Sequence, residues 1–300
     1  MPSVGTMHCA KGHVTIYFNY KGDTMSKVNH DATIQTERVE DKFILDKDKL
    51  DYVRGVVEKH LPAYSHEPDT DYVINRSIYF DSPHLTFLKQ HLNGVGERRK
   101  IRIRTYAPNG VPNHIYFIEI KSKDNGESEK TRVQLSESGF NHVMNHYQIA
   151  IDEDLYITND EVDKDDVTKH ANIINYLLTL NKATPVVDIN YKRFAFQKSE
   201  SYRVTMDEDI KFRPLRMIPL NVIQDLRSND LWNDIEDYKD KFDNDKNFLL
   251  ECKYQKDYEP WFKVLLQSLD AEEKGFSKYV WSMSNILDQT LNTIKTGLKK

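Results

Sequence analysis

Residues 99–106 read RKIRIRTY, and residues 116–123 read YFIEIKSK. In both, aliphatic and charged residues alternate strictly. An extended chain points successive side chains to opposite faces. Ile101 and Ile103 therefore share one side and Arg102 and Arg104 the other; Ile118 and Ile120 likewise oppose Glu119 and Lys121. Repeated period-two segments of this kind dictate a largely antiparallel sheet with one apolar and one charged face. They leave open which face is enclosed. A charged face in water makes an ordinary amphipathic sheet. An enclosed one must hold anions, because burying unpaired charge is costly.

The same polarity recurs along the chain. TERVEDKFIL puts Arg38, Glu40 and Lys42 on one face, and EKTRVQLS does so for Lys130 and Arg132. Tyr191 and Arg193 share a face in VVDINYKRFAFQ, as do Arg203, Thr205 and Asp207 in YRVTMDEDIKFRP, and Glu251 and Lys253 in NFLLECKYQ. The opposite faces carry Val204, Met206, Leu250 and Cys252. Basic residues outnumber acidic ones on these charged faces, although the chain has 42 basic and 47 acidic residues and a net charge of −5. Pairs at i and i+2 stand about 7 Å apart and repel unless an anion lies across them. If the charged faces are enclosed, the sheet closes into a barrel and helices cover its outside. Glu40, Glu119 and Glu251 then compensate the basic lumen. They are also oxygen donors for Mg²⁺ or Mn²⁺, which takes one or two carboxylates plus phosphate oxygens. That combination suits phosphoryl transfer.

Helical spacing appears over 46–61, with Asp46 as the expected N-cap and Pro62 as the stop, over 84–92, within 137–181, and in two C-terminal segments. The class is α+β, one domain over 35–300, preceded by an appendage over 1–34. The negative net charge offers no global attraction to nucleic acid or anionic membrane, so neither is expected as a partner. Two cysteines, Cys9 and Cys252, make no framework. With no apolar run long enough to span a bilayer, a cytoplasmic setting is expected. Arg98, Arg99 and Lys100 read as a solvated turn, or else as an extension of the basic surface. His142 and His146 have the spacing of a zinc helix, but Val143 stands where the glutamate belongs, so they read as surface or packing residues. Trp261 and Phe262 read as core, and Cys252 as a buried thiol.

Nine segments, RVEDKF, SIYFDS, IRIRTY, FIEIKSK, KTR, NYKRFAF, YRVTMDEDI, LLECK and FSKY, occur in the order and approximate spacing of a known family. From about Gln35 to Met283 the chain resembles the polyphosphate polymerase (vacuolar transporter chaperone) domain of the triphosphate tunnel metalloenzyme superfamily. The resemblance implies a closed antiparallel β-barrel with a basic lumen, covered by helices. It implies transfer of the ATP γ-phosphate to a growing polyphosphate chain, with Mn²⁺ or Mg²⁺. ATP and polyphosphate would then be the partners. By the same resemblance Lys42, Arg102, Arg104, Lys121, Lys130, Arg193 and Arg203 hold phosphates. Lys278 stands near the transferring phosphate, Tyr191 belongs to the Tyr-x-Arg pair, and Glu251 holds the metal. Arg38, Arg132 and Lys253 are further substrate contacts, and Glu119 and Glu40 further metal candidates. Gly275 stands where some members have a basic residue. Tunnel relatives that hydrolyse tripolyphosphate, nucleoside triphosphates or RNA 5′-triphosphates share these features, as would a non-catalytic polyphosphate-binding module. Truncating Arg102 is expected to weaken ATP binding and to relieve repulsion.

Overall fold

The computed structural model describes residues 39–64, 69–124, 127–150, 164–199, 202–229, 231–255 and 257–297. The expected appendage over 1–34 and Arg38 lie outside the described residues. Alternation becomes strand in each expected place: β1 (Val39–Asp46), β2 (Val73–Asp81), β3 (Arg98–Pro108), β4 (Tyr116–Asp124), β5 (Glu127–Leu135), β6 (Thr184–Ser199), β7 (Tyr202–Pro214) and β8 (Asn247–Tyr254). β3 starts at Arg98, so the basic run 98–100 is strand and not turn. The β3–β4 connection turns at Asn109 and Gly110, both at positive φ, which glycine adopts without a Cβ clash.

The first helix, α1 (Leu50–Glu58), buries Val53 and Val57 as their spacing demands. Asp46 does not cap it. Its side chain makes no capping bond; the residue ends β1 opposite Asn247, and a 3₁₀ turn at Lys47–Lys49 leads into the helix. The remaining helices are α2 (Thr86–Leu92), α3 (Glu137–His146), α4 (Lys164–Leu180), α5 (Leu220–Ser228), α6 (Leu231–Asp240), α7 (Pro260–Ser268) and α8 (Lys278–Gly297). Among the described residues no helix is long and apolar enough to cross a membrane.

All strands join one antiparallel sheet in the order β1-β8-β7-β6-β2-β3-β4-β5. Its apolar face carries two cores. Phe43, Phe194, Val204, Met206, Leu250 and Cys252 pack with α1 and α7 residues such as Val57, Phe262 and Leu265. Ile78, Ile101, Ile103, Ile118 and Val133 pack with Val143 of α3 and Ile174 and Leu178 of α4. Ile103→Ala, in this second core, is expected to cost about 2–5 kcal/mol. An unchanged urea midpoint would show that the site is not packed.

The expected closed barrel is not what forms. Six strand-to-strand steps separate β1 from β4, about 29 Å if the sheet were flat. Yet Glu40 of β1 and Lys121 of β4 approach to 3.9 Å. The sheet therefore curls until its charged face is concave. No ladder joins the edge strands β1 and β5 among the described residues. The free edge of β1 is already taken: Phe43 bridges Glu273, and the Lys274 amide donates to the Lys42 carbonyl at 2.7 Å. Where these contacts stand, the outer backbone groups of β1 are not free to pair with β5. Side chains cross the seam instead.

The C-terminal helix was also expected outside. It packs on the concave side. Phe276, Tyr279, Val280, Met283 and Leu287 form a third core with Tyr79, Val187, Ile189, Tyr191 and Leu249, joined by Ile223 of α5 and Ile235 of α6. Tyr279 stacks on Tyr79 with ring centroids 4.9 Å apart. Amphipathic spacing fixes which side of a helix is buried, not which face of a sheet receives it.

Candidate functional site

Above that apolar floor, the concave face is charged. Its cations gather on three carboxylates. Glu119 on β4 accepts from Arg102 at 2.9 and 3.0 Å and pairs with Lys130 at 3.0 Å and Arg132 at 3.6 Å. Glu40 on β1 pairs with Lys42 at 2.8 Å, Lys253 at 3.0 Å and Lys121 at 3.9 Å. Asp207 on β7 receives a bidentate Arg193, at 2.6 and 2.7 Å, and Lys278 at 2.5 Å. A fourth carboxylate, Glu251, lies 3.4 Å from Lys253. Antiparallel register brings these together: Glu119 is opposite both Arg102 and Arg132, Glu40 is opposite Lys253, and Arg193 is opposite Asp207.

Arg104 and Lys100 have no carboxylate among the described residues. Arg104 donates to Asn75 Oδ1 at 2.6 Å and to the Tyr191 hydroxyl. Lys100 donates to Ser277 Oγ at 2.9 Å. Ten basic side chains thus face four carboxylates, in a chain that is acidic overall. Ser77 Oγ, Thr205 Oγ1 and Arg104 Nε are buried with no partner on this face. Basic charge in excess of carboxylate on one concave face favours an anion there.

Electrostatics follow from crowding. Burial raises the Glu119 carboxyl, but Arg102, Lys130 and Arg104 outweigh it and hold the group at about 2, down from 4.5. Burial likewise opposes, and Lys42, Lys253 and Lys121 overcome, so that Glu40 sits well below the usual range. Asp207 is depressed against its burial by Arg193 and Lys278. Lys42 is raised despite burial by Glu251 and Glu40. Lys121 is lowered, chiefly by burial, with Lys253 and Lys42 adding to it. Glu119 has a depressed folded value, so its contribution is complete above about pH 4.5 and is lost as pH falls toward 2. That contribution is roughly 3 kcal/mol. Glu119→Gln is expected to flatten the melting temperature between about pH 5 and 2 relative to wild type. Parallel acid profiles would refute it.

The three expected metal carboxylates do not converge. Glu119 is occupied by arginine and lysine on the β3–β5 wall. No group of three or more His, Cys, Asp or Glu among the described residues could hold a metal. Glu40 and Glu251 do come together, bridged by the single Lys253 amine. The unpartnered Thr205 hydroxyl is on β7 opposite Glu251. Two carboxylates and a hydroxyl, completed by phosphate oxygens, fit a hard divalent cation.

Arg203 is opposite Lys253 on the β7–β8 ladder but pairs with none of the four carboxylates among the described residues. It donates to Gln197 at 2.5 Å and lies over the Tyr64 ring, 4.4 Å from its centroid. Arg102 is not the uncompensated charge that its strand pattern suggests. It also donates to the Tyr79 hydroxyl at 3.2 Å, and burial notwithstanding, Tyr79 and Glu119 raise its guanidinium value. Relief of repulsion on truncating it is therefore no longer expected. Asn75, Tyr79, Lys100 and Asp207 escaped the sequence reading as site residues. Parity with Arg102 was the available signal for Lys100; Tyr79 and Asn75 sit opposite Arg102 and Tyr106 only through strand pairing. His142 and His146 lie on α3 with ring centroids 4.4 Å apart, away from the concave face. Phe262 is buried, Trp261 stacks on His60 at 4.5 Å, and Cys252 is a buried free thiol pushed up to about 12 by burial.

No curated protein matches the chain. Among solved structures it is similar to the PH1819 protein of Pyrococcus horikoshii, at 12% identity over 84% of this chain and 99% of that one, with a TM-score of 0.39. It is also similar to a Bacillus halodurans protein described as a candidate adenylate cyclase, at 11% identity over 80% of this chain and 93% of that one, with a TM-score of 0.44. The model of the VTC domain family matches residues 37–287. That span contains all eight strands, every cation and carboxylate of the concave face, and the phosphate-related function that goes with the family: this chain belongs to the VTC domain family.

Proposed function

We propose that this protein is an ATP-dependent polyphosphate polymerase. One observation carries the reading beyond the family: ten basic side chains face four carboxylates on one concave surface. A linear phosphate chain neutralises such a surface unit by unit, and each added unit meets the same kind of wall. In the reaction, a terminal oxygen of the chain forms a bond to the γ-phosphorus of ATP. The bond from that phosphorus to the β–γ bridging oxygen breaks, and its electron pair leaves with ADP. Catalysis of this transfer is mostly positioning and charge neutralisation.

Arg102, Lys121, Lys130 and Arg132 hold phosphoryl oxygens on the β3–β5 wall, Lys42 and Lys253 on the other. Arg104 and Tyr191 stand between them. Arg193 and Lys278, already fixed by Asp207, direct two cations at the reacting phosphoryl group. Because Asp207 pins both before substrate arrives, little reorganisation is left for the transfer itself. Members of this family are expected to use Mn²⁺ or Mg²⁺, and Glu40 and Glu251 are the residues that would hold it. Bound there, the ion supplies charge neutralisation between phosphate oxygens.

Incubation with ATP and Mn²⁺, resolved by gel electrophoresis, is expected to give a ladder of long chains with stoichiometric ADP. Orthophosphate alone would replace this reading by hydrolysis. Glu251→Gln is expected to remove turnover while leaving most of the affinity for tripolyphosphate. If wild type binds but never turns over ATP, the protein is a binding module.

A further inference from the structure

Lys100 is the third residue of β3 and shares the concave face with Arg102 and Arg104. Its amine donates to Ser277 Oγ at 2.9 Å, at the start of α8, where the Val280 amide also donates to Ser277 Oγ at 3.4 Å. Among the described residues Lys100 forms no ion pair. The charges that act on it most strongly are cations. Lys42 faces it from β1, Lys121 from β4, Arg98 and Arg102 from its own strand, His91 from α2, and Lys278 follows Ser277 on α8. Neighbouring Lys42 and Lys121 each reach Glu40; Lys100 does not.

We propose that Lys100 and Ser277 form the end-stop of the phosphate site, binding a terminal phosphoryl group beside the first turn of α8. This rests on the reading of the concave face as a polyphosphate site, and it adds a responsive charge to that site. An ammonium enclosed by cations is unstable without an anion. Burial and the cations Lys42, Lys121 and Arg102 drive Lys100 well below the usual lysine range. The same surroundings hold His91 at about 3, chiefly by burial, with Lys100 and Arg98 adding to it. His91 Nδ1 is buried without a partner. A phosphoryl group reverses the balance. Anion binding and protonation of Lys100 are therefore coupled: the phosphoryl group favours the charged amine. A carboxylate at this point would repel the phosphate, and Lys100 has none as an ion-pair partner among the described residues.

Calorimetric titration of the full chain with inorganic tripolyphosphate, without metal, in buffers of different ionisation enthalpy reads the proton directly. Wild type is expected to take up more protons per bound anion than Lys100→Arg. The ligand is the same in both, so its own titration cancels. Lys100→Arg is expected to keep its affinity, and Lys100→Met to bind roughly 10-fold more weakly. Lys100→Met should also melt no lower than wild type without ligand, because it removes an amine that cations crowd and no carboxylate pairs with among the described residues. Equal proton uptake in wild type and Lys100→Arg, with unchanged affinity in Lys100→Met, would overturn the inference and leave the polyphosphate site standing. No binding of tripolyphosphate by wild type would overturn the polyphosphate reading itself, and the inference with it.

Discussion

Lys278→Met is expected to lower the rate of phosphoryl transfer roughly 10²–10³-fold while the fold survives. Lys278 projects from the first residue of α8 onto Asp207 at 2.5 Å, with its amine 4.5 Å from the centre of the Tyr191 ring. It is an aimed cation on a helix whose floor is packed by Tyr279, Val280 and Met283. Removing it takes one positive charge from the reacting end of the site. Asp207 keeps its bidentate partner Arg193, so no carboxylate is stranded. Methionine keeps the aliphatic contact with the Tyr191 ring. Single-turnover rates should fall with ATP affinity changed far less. A variant whose affinity collapses while its turnover persists would make Lys278 a binding residue only.

Asp207→Asn is expected to produce the largest loss of stability of any single substitution on the concave face. Asp207 is fully buried and is the only carboxylate paired with either Arg193 or Lys278 among the described residues. Asparagine preserves shape and deletes charge, leaving two enclosed cations facing each other. Breaking such a buried pair costs about 3–5 kcal/mol. In a protein of this size that lowers the melting temperature by roughly 6–20 °C. Added tripolyphosphate should restore more stability to this variant than to wild type, because the anion replaces the lost carboxylate. An unchanged melting temperature would show that Arg193 and Lys278 do not depend on Asp207.

These two residues also show where sequence reading stopped. Arg102 and Arg104 could be placed on one face from RKIRIRTY alone, and Ile101 and Ile103 lie buried on the other, under α3 and α4. Asp207 was legible as a member of a charged face, yet its role was not. Its partner Arg193 lies on the neighbouring strand, and Lys278 arrives from the C-terminal helix. Lys100 obeys the same parity as Arg102 but stands near the start of its strand, where a basic run resembles a solvated turn. Glu119 looked like a metal ligand beside Glu251, because spacing on a strand does not say which cations stand across from it. Arg203 follows the basic pattern as well as Arg193 does, and Gln197 and Tyr64 claim it instead.

Strand alternation and helix spacing are local consequences of backbone geometry, two residues per repeat in one case and 3.6 in the other. They settled the α+β class, the eight strands and the side of each strand that carries charge. Enclosure depends on segments far apart in the chain. Residues 273–274 occupy the edge of β1 and keep the sheet open, and α8 lies on the concave face rather than outside. The ion pair between Glu40 of β1 and Lys121 of β4 then spans the seam. None of these contacts has a period, so only packing could decide them.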